Sequence, residues 1–398
     1  MAKSKYHVGL EIGTSSTRVV VAEVKPDLSV KILGLGQSKS AGVKKGEIYN
    51  ISQARSVIRA TILEAEQASE IQIASVFLAV TGGHIKGVNN RGYLTLESET
   101  EIAEQDVIDV EDAASDIKIP DDHAYIHTLA RHYRLDGQDF RISPAGMIGK
   151  NLEAELHLIH GKKSRVQSAM KVTLETTEVI EDLVFAPIAS AQIGVSREQK
   201  EAGALVVDIG GGTTDYALYI NGSVYCSGCI PIGGEHITND IHLAAKIPPA
   251  NAEKLKIEFG DVSDEQRDRP GVVPVMDIFG LDVADLEYKR LNFVMRSRLE
   301  ELFRVLHKSL PNGILKHIGA GVFLRGGVSK TKGIVDVVNR VFALPVHLPG
   351  SGVNTSNKYA DDPELYTVLG LIYYAQILDE EEPPESKTPL GFLKSLFG

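Results

Sequence analysis

Two short turns of glycine and hydroxyl residues carry groups able to hold phosphate. Gly13, Thr14, Ser15 and Ser16 form the first, and Gly210, Gly211, Gly212, Thr213 and Thr214 the second. A phosphate cradle needs backbone N–H groups aimed at one point, so glycine is used for close approach and hydroxyls complete the hydrogen bonding. An acid precedes each turn, Glu11 in one case and Asp208 in the other. Acids so placed suit the water shell of Mg²⁺ better than direct contact with phosphate. A single glycine turn is as readily a structural hairpin. Two matched turns, each led by an acid, point to one ligand held from two sides.

The elements that must position these turns are strands. VVVAEV and YALYI follow them and are rich in β-branched and aromatic residues, whereas the Rossmann and P-loop patterns place a helix there. A P-loop near GGVSKTKG fails as well, because Ser329 stands where glycine is required. The segments GLEIGTSSTRVVVAEV and VVDIGGGTTDYALYI repeat acid, Ile, Gly, polar turn and return strand. A repeat separated by roughly 200 residues indicates two related domains rather than a solenoid. Between them, residues 52–68 have helical spacing, with Val57, Ile58, Ala60, Thr61, Ile62 and Ala65 able to share a buried stripe. Residues 73–85 read as a buried strand and turn. From 86 to 165 the texture becomes charged and mixed, with an acidic helix at 103–117 and alternating strands near 125–136 and 154–161; it reads as an inserted small α/β unit. Gly233 and Gly234 precede one helix start, where backbone could meet a terminal phosphate, and Gly326 and Gly327 precede another, where it could approach adenine or the α-phosphate.

A chain of 398 residues is long enough for two or more cores around a shared cleft. With 43% hydrophobic and 24% charged residues it has a globular composition, and no apolar run is long enough to span a bilayer. The start passes from a short basic tail into a strand, so no secretory leader is expected and a cytosolic location is. The net charge of −11 argues against a broad nucleic-acid surface. Cys226 and Cys229 are the two cysteines; lacking a second CxxC, they are expected to be reduced thiols in a strand.

Residues 379–387, acidic and Pro-containing, read as a flexible linker. Residues 388–398 follow as an amphipathic helix whose Leu390, Phe392, Leu393, Leu396 and Phe397 would rest in a lipid interface. Lys387 and Lys394 add only about 1 kcal/mol each toward anionic lipid. Stable attachment would then draw on the avidity of a polymer.

Taken in order, these segments resemble the actin, sugar-kinase and heat-shock-chaperone superfamily. Phosphate-1 is similar to LEIGTSS, the first connecting helix to FAPIASAQIG, phosphate-2 to VDIGGGTTD, the adenosine motif to VFLRGGVSKTKGI and the second connecting helix to YTVLGLIYYA. Ala186, Ala189, Ala191 and Gly194 in one connecting helix and Gly370 in the other would let the two cross closely as a hinge. Within the superfamily the chain most resembles the FtsA family, through SKSAGVKKGEIYN, SVFLAVTGGHI and IPIGGEHITNDI, which lie outside the five motifs or extend beyond them.

That resemblance implies an α/β fold: an actin-like, ribonuclease H-like duplicated two-lobe architecture with an inserted subdomain 1C. Subdomain 1A would take residues 1–85 and return at 166–196, with 1C at 86–165. Subdomain 2A would take 197–245 and return at 313–378, with 2B at 246–312. It implies ATP and Mg²⁺, with Glu253 and Lys256 on the ribose and Lys330 in the adenosine motif. It implies binding of the FtsZ C-terminal tail by the helix at 286–310, through Arg298 and Arg304, with Lys289, Arg290 and Arg296 adding charge. Homopolymerisation, a membrane contact through the C-terminal helix, other division proteins on 1C, and a place on the cytoplasmic face of the membrane at the division site also follow. The chaperones and MreB carry Glu before the Pro of the first connecting helix, where this chain has Ala186 beside Pro187. Losing a water-orienting carboxylate removes a contribution on the order of 10²- to 10⁴-fold, so slow hydrolysis at most is expected. The competing readings are a PilM-like pilus-assembly adaptor, which would lack the tail helix, and a small-molecule kinase, which would turn over briskly.

Overall fold

The structure is a computed structural model that describes residues 5–25, 27, 29–276, 282–350, 359 and 361–381. The chain opens with β1 (Lys5–Ile12), β2 (Ser16–Val24) and β3 (Val30–Lys39), then a small hairpin of β4 (Val43–Lys44) and β5 (Glu47–Ile48), then α1 (Ile51–Ser69) and β6 (Ser75–Val80). The insert follows as β7 (Lys86–Glu101), α2 (Glu104–Ser115), β8 (His123–Leu135), β9 (Gln138–Phe140) and β10 (Ile148–Lys162). The first lobe resumes with α3 (Lys163–Leu174), β11 (Val179–Phe185) and α4 (Ala186–Ser190). The second lobe comprises α5 (Arg197–Ala202), β12 (Ala204–Ile209), β13 (Thr214–Ile220), β14 (Ser223–Ile230), α6 (Gly234–Ala245), α7 (Pro249–Phe259), β15 (Val272–Met276), β16 (Asp282–Glu287), α8 (Tyr288–Ser309), β17 (Gly321–Arg325), α9 (Ile334–Phe342) and β18 (Val346–His347). The last described element is α10 (Tyr366–Glu381).

The duplication read from the two turns extends to whole sheets. Lobe one orders its strands β3-β2-β1-β6-β11, and lobe two β14-β13-β12-β17-β18. In both, the phosphate-turn hairpin is antiparallel and the next two pairings are parallel. Strand alternation then divides the core. Val19 and Val21 of β2 face α1 through Ile58 and Ile62, while Val20, Ala22 and Val24 face Leu369 and Ile372 of α10. Gly34 and Gly36 on β3 lie so close under α1 that an added Cβ would stand 2.7 Å from the Ala65 carbonyl oxygen and 2.1 Å from that of Thr61. The α1 stripe differs in detail from its sequence reading: Ala54 is buried and Ala60 exposed, because the stripe runs through Ala54, Ile58, Thr61, Ile62 and Ala65 and Ala60 stands about 200° around the helix from Ile58 and Ile62.

The insert holds two surprises. Its first segment, charged enough to hide a strand, forms the 16-residue β7. Its sheet also continues that of lobe two, through the pair Gly228↔Lys86 between β14 and β7. Two buried histidines secure the insert. His127 on β8 accepts the Phe185 N–H at 2.9 Å, and His157 on β10 contacts the Ser227 hydroxyl on β14 at 2.8 Å. Burial pushes His127 down to about 4 and His157 to about 3, so both are neutral in the fold. Folded pKa values below the unfolded one leave stability intact above pH 6.5 and remove it as pH falls toward the folded values, by about 1.4 kcal/mol per pH unit for each histidine. The two histidines are therefore expected to draw the thermal unfolding midpoint down between pH 6.5 and 4.5, against the gain that the cleft acids Glu11 and Asp215, raised to about 7, make over the same range. Replacing both histidines by glutamine should remove only the histidine part, so the difference in midpoint between the two chains should move in favour of the variant as pH falls, which paired melts across pH would read.

The end of the chain also corrects the boundaries expected from sequence. Helix α10 continues through Asp379, which pairs with Lys5 at 2.7 Å and His7 at 2.8 Å on β1, so the linker does not begin at 379. Nor does α10 pack as part of the second lobe, the 313–378 assignment: its apolar residues cover β1 and β2. It crosses the short α4 closely, an added Cβ on Gly370 standing 2.0 Å from the Ala189 carbonyl oxygen. Residues 388–398, with Leu390, Phe392, Leu393, Leu396 and Phe397, lie outside the described residues, as do 382–387 of the proposed linker.

Candidate nucleotide-binding site

The two glycine turns meet across a cavity of about 1190 Å³ between the lobes. Each is closed by one backbone bond, Gly13 N–H to Ser16 O at 3.0 Å and Gly210 N–H to Thr213 O at 2.9 Å. Among the described residues nothing takes up the amides of Thr14, Ser15, Gly211 or Gly212, which leaves them for a ligand. The absence of side chains is required. A Cβ on Gly211 would stand 2.0 Å from Ser15 Oγ, and one on Gly212 2.5 Å from Thr14 Oγ1. Gly13, Thr14, Ser15, Ser16, Gly210, Gly211 and Thr213 line the cavity.

Thr214 does not. As the first residue of β13 it points opposite to Thr213, and its hydroxyl donates to the Ile232 carbonyl at 2.8 Å. Gly234 lines the cavity, but the amides of Gly233 and Gly234 are already engaged. The Gly234 and Glu235 amides donate to the carbonyls of Gly210 and Gly211 at 2.9 and 2.8 Å, and the Gly233 N–H donates to His236 Nδ1. A Cβ on Gly233 would stand 2.6 Å from the Gly210 oxygen. These glycines therefore dock α6 onto the second phosphate turn, and their amides are not free to meet phosphate.

Two buried acids, Asp208 and Asp215, and the partly buried Glu11 line the cavity. Glu11 faces Arg18 across the first hairpin, and Asp208 faces Asp215 across the second. Burial raises Glu11 to about 7, against the pull of Arg18 and with a further push from Asp208. Burial raises Asp215 likewise to about 7, though Thr81 donates to both its oxygens, at 2.7 and 2.6 Å. Asp208 is raised by burial while a 2.6 Å bond from Thr367 and the charges of Arg325 and Arg18 oppose the shift. Such acids ask for a cation. Among the described residues no three His, Cys, Asp or Glu side chains converge as direct ligands, so a metal here would reach Glu11 and Asp208 through water and ligand oxygens. The donor set fits Mg²⁺ bound with a polyphosphate.

Lys330 and the ribose pair line the same cavity. Lys256 bonds Glu253 at 2.7 Å and Thr238 at 2.9 Å. Lys330 bonds Glu364 at 2.8 Å and Asp362 at 2.9 Å, and Glu364 bonds Arg18 at 2.7 Å. Gly326 and Gly327 line it too, but lead into a 3-10 turn at Gly327–Lys330 before α9 begins. Gly326 has φ 78°, and a Cβ there would be 2.5 Å from Asp208 Oδ1. Sequence reading missed Arg18, Thr81, Asp215, Arg325, Glu364 and Thr367. Arg18 and Asp215 had a signal, their register opposite the two acids; Glu364, 346 residues from Arg18, had none. Ala186 lines the cavity at the position where a water-orienting acid was expected to be missing.

On α8, Arg298 is held by Asp240 at 2.6 and 3.0 Å, whereas Arg304 bonds Glu300 at 2.9 Å and lines a second recess of about 230 Å³ with His307, Lys308, Arg340 and Val341. Arg296 is buried against the Val262 and Ser263 carbonyls. Cys226 and Cys229 are free thiols on β14, with burial pushing Cys226 up to about 12 and Cys229 well above its usual value.

Comparison with known proteins matches this architecture. The family model for cell division protein FtsA matches residues 205–370, and that for the SHS2 domain inserted in FtsA matches 82–160, the insert. Cell division protein FtsA of Pseudomonas aeruginosa is 34% identical over 375 residues, covering 93% of this chain and 89% of the relative. That of Escherichia coli K12 is 31% identical over 382 residues, covering 94% and 90%. Among solved structures, the PilM-PilN type IV pilus biogenesis complex is similar with a TM-score of 0.65 at 16% identity, covering 95% of this chain and 99% of that one. MreB 5 of Spiroplasma citri bound to AMPPNP is similar with a TM-score of 0.58 at 15% identity, covering 96% and 98%. Those two show the actin-like fold. With near-complete coverage by its sequence relatives and the inserted SHS2 domain in place, the chain belongs to the family of the cell division protein FtsA.

Proposed function

We propose that the chain is an ATP-binding, polymerising adaptor that binds the C-terminal tail of FtsZ and anchors the division ring to the cytoplasmic face of the membrane. The observation that carries the nucleotide part is the pair of opposed glycine turns over Glu11 and Asp208. Amides and hydroxyls of the turns hold the phosphates, the two acids hold the water shell of Mg²⁺, Glu253 and Lys256 face the ribose, and Gly326, Gly327 and Lys330 face the base. Mg²⁺, held through water by Glu11 and Asp208, would supply charge neutralisation for the phosphates. With Ala186 in place of a water-orienting acid, the chain holds ATP as a switch and hydrolyses it slowly.

The FtsZ tail, an acidic peptide, goes to α8. Asp240 holds Arg298 through two bonds, and the Arg298 side chain is only 25% exposed, so the stronger contact falls to Arg304, which bonds Glu300 but is 63% exposed at its side chain and lines a recess with His307, Lys308 and Arg340. Fluorescence anisotropy of a labelled FtsZ tail peptide tests this. The unaltered chain is expected to bind, and Arg304→Glu to weaken binding roughly tenfold or more through lost attraction and new repulsion. Equal binding by both would contradict the site, and no binding by the unaltered chain would contradict the FtsZ role. A PilM-like adaptor would ignore this peptide. The SHS2 insert is the surface for further division proteins and for neighbouring subunits, and residues 388–398 are the lipid contact.

A further inference from the structure

The segment SKSAGVKKGEI lies against both phosphate turns. Its β4–β5 hairpin turns at Lys45 and Gly46, with φ 52° and 74°. That is the geometry of a tight turn built for Asn or Gly, and lysine seldom adopts it. A residue kept in such a conformation directs attention to what its side chain does there. Gly46 N–H donates to Thr14 Oγ1 of the first phosphate turn at 2.9 Å. A Cβ on Gly212, in the second turn, would stand 2.8 Å from Lys45 Cα. The charge of Lys45 also reaches His236 in the first turn of α6, where it adds to burial in holding that imidazole below its ordinary pKa. Lys45 thus stands where both turns and α6 converge, and it lines the cavity.

Its charge is uncommitted. Arg18, Lys256 and Lys330, which line the same cavity, are each bonded to a carboxylate. Lys45 has no carboxylate partner among the described residues. The hairpin that carries it is fixed at its far side, where Glu47 pairs with Arg165 of α3 at 3.1 Å. The α6 amides of Gly234 and Glu235 are spent on the carbonyls of the second turn; of the lining lysines without a carboxylate partner among the described residues, Lys39, Lys44, Lys45 and Lys332, it is Lys45 whose Cα lies against Gly212 of the second turn.

We propose that Lys45 is the residue that contacts the terminal phosphate of the bound nucleotide, so that this hairpin makes the chain discriminate triphosphate from diphosphate. The inference rests on the nucleotide reading of the cleft and assigns to a segment outside the two glycine turns the distinction on which a switch depends. The β- and α-phosphates would be held by the turns in either nucleotide, whereas the contact with Lys45 exists only when the third phosphate is present.

The test is equilibrium binding of Mg·ATP and Mg·ADP by displacement of a fluorescent ADP, for the full chain and for Lys45→Met, Lys45→Arg and Lys44→Met. Lys45→Met is expected to weaken Mg·ATP by roughly 10- to 100-fold, the value of a charge-assisted contact, and Mg·ADP by less than about threefold. Lys45→Arg should retain the preference, and Lys44→Met should leave it in place. Equal weakening of both nucleotides, no change in either, or the same loss from Lys44→Met would overturn the inference. Failure of the unaltered chain to bind either nucleotide would be a different result, removing the nucleotide reading on which the inference stands.

Discussion

Asp208→Asn is expected to raise the melting temperature of the nucleotide-free chain while reducing its affinity for Mg·ATP by roughly 100-fold, a loss of about 2.7 kcal/mol. Both effects come from the same burial. The Asp208 carboxyl is held above its usual pKa chiefly by desolvation, with Thr367, Arg325 and Arg18 opposing the shift. For an acid whose folded pKa is raised, the relative stability is complete below the unfolded pKa and is lost as pH rises through the folded one. At neutral pH the charged form is therefore a cost to the empty fold. Asparagine removes that cost and can still accept the bond from Thr367 that Asp208 Oδ2 now takes at 2.6 Å. What asparagine cannot do is hold the water shell of Mg²⁺ with a negative charge beside Glu11. Thermal melts without nucleotide and calorimetry with Mg·ATP would read the two effects separately. A lower melting temperature with unchanged affinity would make Asp208 a structural residue.

The sequence made the phosphate turns legible because their chemistry is local: glycine, hydroxyl and acid stand within a few residues of one another. The duplication was legible for the same reason, and the matching strand orders of the two lobes follow from it. What stayed hidden depends on partners far apart in the chain. Glu364 joins Arg18 to Lys330, but its position in the sequence carries no motif. The pairing of β7 with β14 is a backbone contact, which side-chain periodicity does not encode. Gly233 and Gly234 show the opposite limit: glycines before a helix start are legible in the sequence, yet the close neighbour that requires Gly233 is the Gly210 carbonyl, and the Gly234 amide donates to that same carbonyl. Thr214 was grouped with Thr213 by adjacency, although successive residues of a strand face opposite ways. Conversely, the crossing of α4 and α10 at Ala189 and Gly370 is what the superfamily resemblance implied, and the small residues there permit it.

Co-sedimentation with liposomes containing anionic lipid, in the presence of ATP and an FtsZ tail peptide, tests whether the chain links FtsZ to a membrane. The comparison is the full chain against one ending after Glu381, which keeps α10 and its Asp379 contacts with β1 intact and removes the segment with Leu390, Phe392, Leu393, Leu396 and Phe397. The full chain is expected to sediment with the liposomes and carry the peptide down, while the shortened chain remains in the supernatant and still binds the peptide there. If both chains stay in the supernatant, or both sediment equally, the C-terminal segment is not the anchor and the proposed link between division ring and membrane is contradicted.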